Sequence, residues 1–416
     1  MTMFTVKDRL FNGVFPAFLL AVCVGQIYAF TNFSTAISAH IGESKAAVQF
    51  AFSLGIFFLG MGAAFFGRIV EKDVRMAAVI GTALFIGGLL FANYGIDHKS
   101  LLHLYVGYGL LLGLGTGTIY ITPVKTLMMW FPEHKAVAAA IPIVSFGLGS
   151  TFSTIAYNWV EPMGITKAFL VYAAIYLPLM AAGCVMLRKP GLRGTEAAFQ
   201  DKETRGTESV RQKGVGESET ESGRQQGFGY RRLLKDRFFQ RSWVFMFLNI
   251  SCGLMLIPLA KQMMGSAVVG YSAAVIAFIV GASGVLNGGG RLVFAAWSDC
   301  LKERRTILLW ILGISVVTMS AAMLPCTIGA ALLIINACYG AGFSVIPGIL
   351  ADHFGMDNIS KIHGAVLSAW GVAGLVGNQV AILVSDKLGF GYYGVVVMLI
   401  ALYAANMWNA AKLRRL

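Results

Sequence analysis

The chain has 416 residues, 57% of them hydrophobic and only 13% charged, with a mean hydropathy of +0.70. Soluble globular domains carry roughly 25% charged residues, so this composition excludes one and points to a polytopic membrane protein. A net charge of +13 would suit a nucleic-acid binder, but the basic residues fall where membrane topology puts them.

In chain order, twelve apolar segments of spanning length lie at about 14–38, 46–67, 76–95, 102–130, 136–159, 167–187, 241–261, 270–297, 306–324, 327–350, 363–384 and 391–411. The first is longer than the apolar core of a signal peptide and is followed by further spans, so it reads as a membrane helix. With the N-terminus placed in the cytoplasm, the outer loops hold Lys45, Lys99, Lys167, Lys261 and Lys387. Apart from Lys125 and Arg291, which lie inside apolar segments, the rest of the 33 Lys and Arg residues fall on the inner side. This bias predicts a multi-pass protein of the cell (plasma or inner) membrane with both termini cytoplasmic.

Arg188 to about Asp236 divides the segments six and six. Its core is rich in Gly, Glu, Arg, Ser, Thr and Gln and has almost nothing apolar to bury, which predicts a disordered cytoplasmic linker. The stretch YRRLLKDRFFQRSW, Tyr230 to Trp243, is basic and aromatic and suits a helix at the membrane surface. The expected organisation is an N-terminal six-helix half (1–187), a linker (188–238) and a C-terminal six-helix half (239–416).

The halves echo each other. Gly67 to Lys72, ending the second segment, matches Ala295 to Cys300, ending the eighth. Trp130-Phe131-Pro132 with SFGLGS (Ser145 to Ser150) matches His353-Phe354-Gly355 with AWGVAGLVG (Ala369 to Gly377); Tyr120 falls opposite Phe343, and Gly25 opposite Gly253. Two similar six-helix halves predict an all-α protein with a pseudo-two-fold axis, a central cavity and alternating access by rocking.

Arg291 is the main candidate residue. It lies in SGVLNGGGRLVFAAWSD (Ser283 to Asp299), eight residues before the polar exit, or about 12 Å inside the helix end. An unpaired guanidinium at that depth is expensive and faces a watery cavity or an anion. Every acidic residue falls in a loop or at a segment end, so no intramembrane carboxylate neutralises it. Asn287, four residues earlier, shares its face. Lys125 is a rival cation, either snorkelling from the end of its segment, held by a structural hydrogen bond, or facing the cavity. Tyr28, Tyr120 and Gln49 carry polar tips at apolar depth, as ligand contacts or as packing and interfacial residues. Phe343 and Trp370 suit packing or the apolar wall of a small-anion site. His353 and His363 read as solvated residues at segment ends, with a proton relay as the alternative. The six cysteines lack metal or disulfide spacing, and Gly113, Gly115 and Gly117 suit close helix packing rather than a nucleotide loop. No nucleophile or metal cluster suggests an enzyme, and no cofactor is expected.

With these residues in view, the chain resembles the major facilitator superfamily. The loop after the second segment resembles its acidic-basic signature through Gly67, Glu71, Lys72 and Arg75, with Asp73-Val74 where a glycine is usual. The copy after the eighth has Asp299, Arg304 and Arg305. More narrowly, GQIYAFTNFS (Gly25 to Ser34), AAVQFAFSL, GLGTGTIYITP with WFPEHKAVAAA, SFGLGS, NGGGRLVFAAWSD and HFGMDNISKIHG resemble the oxalate/formate antiporter family, which includes monocarboxylate carriers. The resemblance implies a substrate between the halves, its carboxylate on Arg291, helped by Tyr28, Gln49 and Tyr120. Oxalate carriers place a lysine in the eleventh segment; here Gly364 to Gly377 holds no cation, and Trp370 aligns with it.

One fixed charge suits one carboxylate. The expected function is therefore a secondary carrier of a monocarboxylate of the formate, lactate or pyruvate type, by antiport or by symport. Its expected partners are the carboxylate, a coupled proton or counter-anion and the lipid bilayer, in a monomer without nucleic acid. An oxalate:formate antiporter is the alternative, and a transport-inactive membrane sensor the alternative of another class.

Overall fold

The computed structural model describes residues 5–190, 229–266, 269–384, 389 and 391–413. The disorder expected of the linker core lies outside these residues for 191–228, as do the charges of Lys387, Arg414 and Arg415. The N-terminal half contains α1 (Val6–Ile41), α2 (Lys45–Lys72), α3 (Val74–Asp97), α4 (Leu101–Trp130), α5 (Lys135–Val160) and α6 (Ile165–Met186). A short surface helix, α7 (Tyr230–Lys235), precedes the second half. That half contains α8 (Arg237–Met264), α9 (Ala273–Cys300), α10 (Thr306–Ala321), α11 (Ile328–Phe354), α12 (Ile359–Ile382) and α13 (Gly391–Ala411). Among the described residues, eleven helices are long and apolar enough to span a membrane, and α10 is a shorter apolar twelfth. The helix expected in Tyr230 to Trp243 divides at Asp236, whose side chain caps the start of α8 by accepting from the Phe239 amide.

The chain reverses where local chemistry stops each helix. Ser44, Asp73 and Ser272 cap α2, α3 and α9 through side-chain oxygens on first-turn amides. Gly42, at φ +86°, closes α1 in the left-handed conformation. The first and last described segments lie on one face, with the connections α2–α3, α4–α5, α8's approach, α9–α10 and α11–α12. Arg9 pairs there with Glu133, and Arg305 donates to the Leu413 carbonyl. This is called the basic face.

The halves meet from the basic face to mid-depth. A Cβ on Gly364 of α12 would stand 2.0 Å from the Ala63 carbonyl oxygen of α2, so the helices touch backbone to backbone. The same seam runs from Gly67, against Ser360 and Lys361, to Gly374, against Ile56. On the opposite side α9 meets α5. Beyond that depth Phe152 and Ile155 of α5 and Phe278 and Val285 of α9 are exposed. The alternate glycines of α4 pack against the backbones of α2 and α3, as their packing reading anticipates.

Candidate functional site

α9 carries Arg291 nine residues before its end at Cys300, or about 14 Å inside. Its Nη1 donates to the Ile143 carbonyl of α5, 2.5 Å away and in the other half. Its guanidinium carbon lies 5.5 Å from the centre of the Phe343 ring on α11. Nε is buried without a hydrogen-bond partner among the described residues. The Ser344 hydroxyl, 2.9 Å from the Arg291 carbonyl, donates to it and fixes α11 against the backbone of α9. Among the described residues, the guanidinium thus uses one of its five N–H donors, on a neutral carbonyl. No described carboxylate forms an ion pair with it.

Aromatic rings from both halves form a wall beside this charge. Tyr28 of α1 and Tyr120 of α4 each lie 5.4 Å from Phe146 of α5, between ring centres. Tyr120 lies 5.4 Å and Phe343 4.8 Å from Trp370 of α12. Tyr339, one turn before Phe343, completes the series at 5.4 Å. The rings of Tyr28, Tyr120 and Tyr339 belong to the electrostatic surroundings of Arg291. The Tyr120 hydroxyl is buried with no hydrogen-bond partner among the described residues. A shape change in α1 presents Tyr28: Gly25–Ala29 winds as a 3-10 turn. Gly25 there lies so close to α5 that a Cβ would stand 2.0 Å from the Phe146 carbonyl oxygen.

Sequence reading named Tyr28, Tyr120, Phe343 and Trp370, and the fold joins them in one aromatic series in which Phe343 lies against Arg291. It missed Tyr339 and Phe146. Tyr339 was findable, being four residues from Phe343 on one helical face. Two further named residues lie outside this ring series. Gln49 is exposed in the second turn of α2, one turn before Phe52, whose ring centre lies 6.1 Å from that of Tyr28. Asn287 does share the face of Arg291, but its amide donates to the Asn336 carbonyl of α11 at 3.2 Å, a bond between helices. Of the triple glycine, Gly290 packs on Ala337, while a Cβ at Gly288 or Gly289 would meet no neighbouring described atom within 4 Å.

Lys125 is not a second cation beside Arg291. It is buried in an ion pair with Glu71, which lies in the last turn of α2 rather than in a loop. The same carboxylate accepts from the Ser360 amide at the start of α12. The pseudo-symmetric position repeats this arrangement. Asp299 accepts from the Ala136 and Val137 amides at the start of α5, at 3.1 and 3.0 Å, and pairs with Arg304 at 2.8 Å. Helix N-termini carry unsatisfied amides and partial positive charge, so each carboxylate clamps a helix of the opposite half. Arg304 and Lys135 converge on Asp352. Arg75 caps the end of α6 through the Val185 and Leu187 carbonyls. Arg305 pairs with Glu303. Lys72 is exposed, and its carbonyl accepts from Lys189. His353 stacks on Phe238, with ring centres 3.8 Å apart. His363 is buried within α12, where its apolar neighbours continue the helix past the expected segment end, and is not a solvated residue.

The family model described as Major Facilitator Superfamily matches residues 14–378. "Uncharacterized MFS-type transporter YhjX" of Escherichia coli is 26% identical over 85% of this chain and 82% of its own length. "Oxalate:formate antiporter" of Oxalobacter formigenes is 23% identical over 92% and 86%. "Apicoplast pyruvate carrier 1" of Toxoplasma gondii is 26% identical over 78% and 65%. Among solved structures, the E. coli fucose:proton symporter FucP in the outward conformation has the same fold. Its TM-score is 0.67 at 13% identity, covering 96% of this chain and 99% of that one.

Proposed function

Because the chain belongs to the Major Facilitator Superfamily, and is thus a membrane transporter rather than an enzyme, we propose that it carries a monocarboxylate by alternating access, with Arg291 holding the carboxylate. The observation that carries this reading is the state of Arg291 among the described residues: one bond, to a neutral carbonyl, and a buried Nε with no partner. A carboxylate offers charge-assisted, bidentate bonds that a carbonyl cannot match. Likeness to an oxalate:formate antiporter and a pyruvate carrier supports a small carboxylate as the cargo.

Two features favour one carboxylate over two. Glu71 already neutralises Lys125. Trp370 presents an indole, not a cation, beside Phe343 and Tyr120. A second carboxylate entering this wall would be desolvated without a partner. Tyr28, Tyr120 and Tyr339 supply hydroxyls to orient the first, and Phe146, Phe343 and Trp370 exclude water. The division into halves 1–187 and 239–416 around a linker belongs to this reading, as does a cytoplasmic basic face. The state described is then closed to the cytoplasm.

In this scheme the carboxylate enters from the open side and takes the guanidinium from Ile143. The neutralised site closes over it, and the Glu71 and Asp299 clamps release α12 and α5. An empty site leaves Arg291 weakly partnered, which hinders the return step and favours exchange over uniport. Counterflow of labelled formate, lactate, pyruvate and oxalate in proteoliposomes tests the reading. Exchange of at least one monocarboxylate, faster than oxalate, is expected; exchange of none overturns it.

A further inference from the structure

A lateral groove of about 510 Å³ opens where α2, α8 and α12 meet the surface helix α7. Phe65, Leu234, Trp243, Ala365, Tyr230 and Ser368 are among the residues that line it. Met61 to Phe65 sit seven to eleven residues from the end of α2, so the groove reaches roughly 10–16 Å in from the basic face. That is about the depth of one leaflet of a ~30 Å hydrocarbon core. Its lining is overwhelmingly apolar and faces the bilayer side, with Phe65 66% and Leu234 59% exposed.

The mouth of the groove is cationic. The Tyr230 hydroxyl donates to the Ala64 carbonyl of α2 at 2.7 Å, which ties its ring to that helix. Arg68 of α2 lies 4.5 Å from the ring centre and Lys361 of α12 4.9 Å. Lys361 is only 6% exposed. Neither cation forms an ion pair with a carboxylate among the described residues. Arg231 and Lys235 are exposed on the same short helix. A tyrosine ring offsets part of the repulsion between two cations, but it is no counter-ion. A buried ammonium without one is costly.

We propose that this groove and the Arg68–Tyr230–Lys361 cluster bind one anionic phospholipid from the leaflet at the basic face. The phosphate answers Arg68 and Lys361, and an acyl chain fills the groove beneath. The acidic run of the linker, GESETES at 216–222, supplies charge but no apolar chain of that length. The site takes Arg68 and Phe65 from one half and Lys361, Trp243 and Ala365 from the other. It is complete only while the halves are closed on this face, so the lipid favours that state by its differential affinity.

The test uses native mass spectrometry of the purified full chain with phosphatidylglycerol or phosphatidylcholine of matched acyl chains. One phosphatidylglycerol is expected to be retained preferentially. Arg68→Gln and Lys361→Gln should each weaken it about fivefold, the fold-change of roughly 1 kcal/mol per cation. Ala365→Phe, which fills the groove without changing charge, should weaken both lipids. Arg68 is exposed, so its variant reports binding even where Lys361→Gln fails to fold. Equal retention of the two lipids, undiminished retention by Arg68→Gln, or full displacement by soluble glycerol phosphate overturns the proposal. The outcome is independent of which carboxylate, if any, is exchanged.

Discussion

Lys125 of α4 and Glu71 of α2 form a buried ion pair, and the same carboxylate receives the Ser360 amide of α12. Three helices from both halves therefore depend on one carboxylate on the basic face. Breaking such a pair leaves an uncompensated buried charge, whereas removing both members does not.

This gives the first expectation. Lys125→Met and Glu71→Gln should each destabilise the protein by about 3 kcal/mol, and the double variant by less than their sum. Melting in detergent for the four proteins of the cycle measures it. Additive losses would mean that the two side chains act independently.

Arg291→Gln should abolish carboxylate counterflow, and Arg291→Lys should restore little. Truncating one partner of a buried charge pair costs roughly 3 kcal/mol, more than a hundredfold in affinity. Lysine keeps the charge but lacks the planar fork. Wild-type exchange by either variant would remove Arg291 from the site.

Trp370→Lys should raise oxalate exchange relative to formate. A second cation about 8 Å from a carboxylate contributes roughly 2 kcal/mol at an effective dielectric near 20. Competition between the labelled anions gives the ratio directly. An unchanged ratio would show that Trp370 does not face the cargo.

Gly364→Ala should push α12 off α2, because the added methyl would stand 2.0 Å from the Ala63 carbonyl oxygen. Spin labels at the exposed positions Lys72 and Asp357, on opposite halves, should report a longer distance distribution in the variant. A distribution identical to that of the parent would mean that the seam relaxes locally and does not hold the state.

The sequence by itself determined the properties that are local along the chain. Hydropathy over about 20 residues marks a span wherever it folds, so all twelve apolar segments correspond to helices in the structure. A guanidinium within such a run is costly in any packing, so Arg291 stood out before any contact was known. The repeat placed Glu71 opposite Asp299, and both clamp a helix of the other half.

Only the tertiary structure decided which side chains meet. In helices apolar on nearly every face, periodicity does not say how each is rotated about its axis. Lys125 was thus open between cavity and structure until α4 packed on α2 and presented it to Glu71, 54 residues away in the chain. The same rotation buries His363, leaves Gln49 exposed and brings Tyr339 and Phe146 beside Arg291. Close backbone approaches at Gly25, Gly117, Gly340 and Gly364 accompany those rotations, and they are pairings between distant segments that no single stretch of chain encodes.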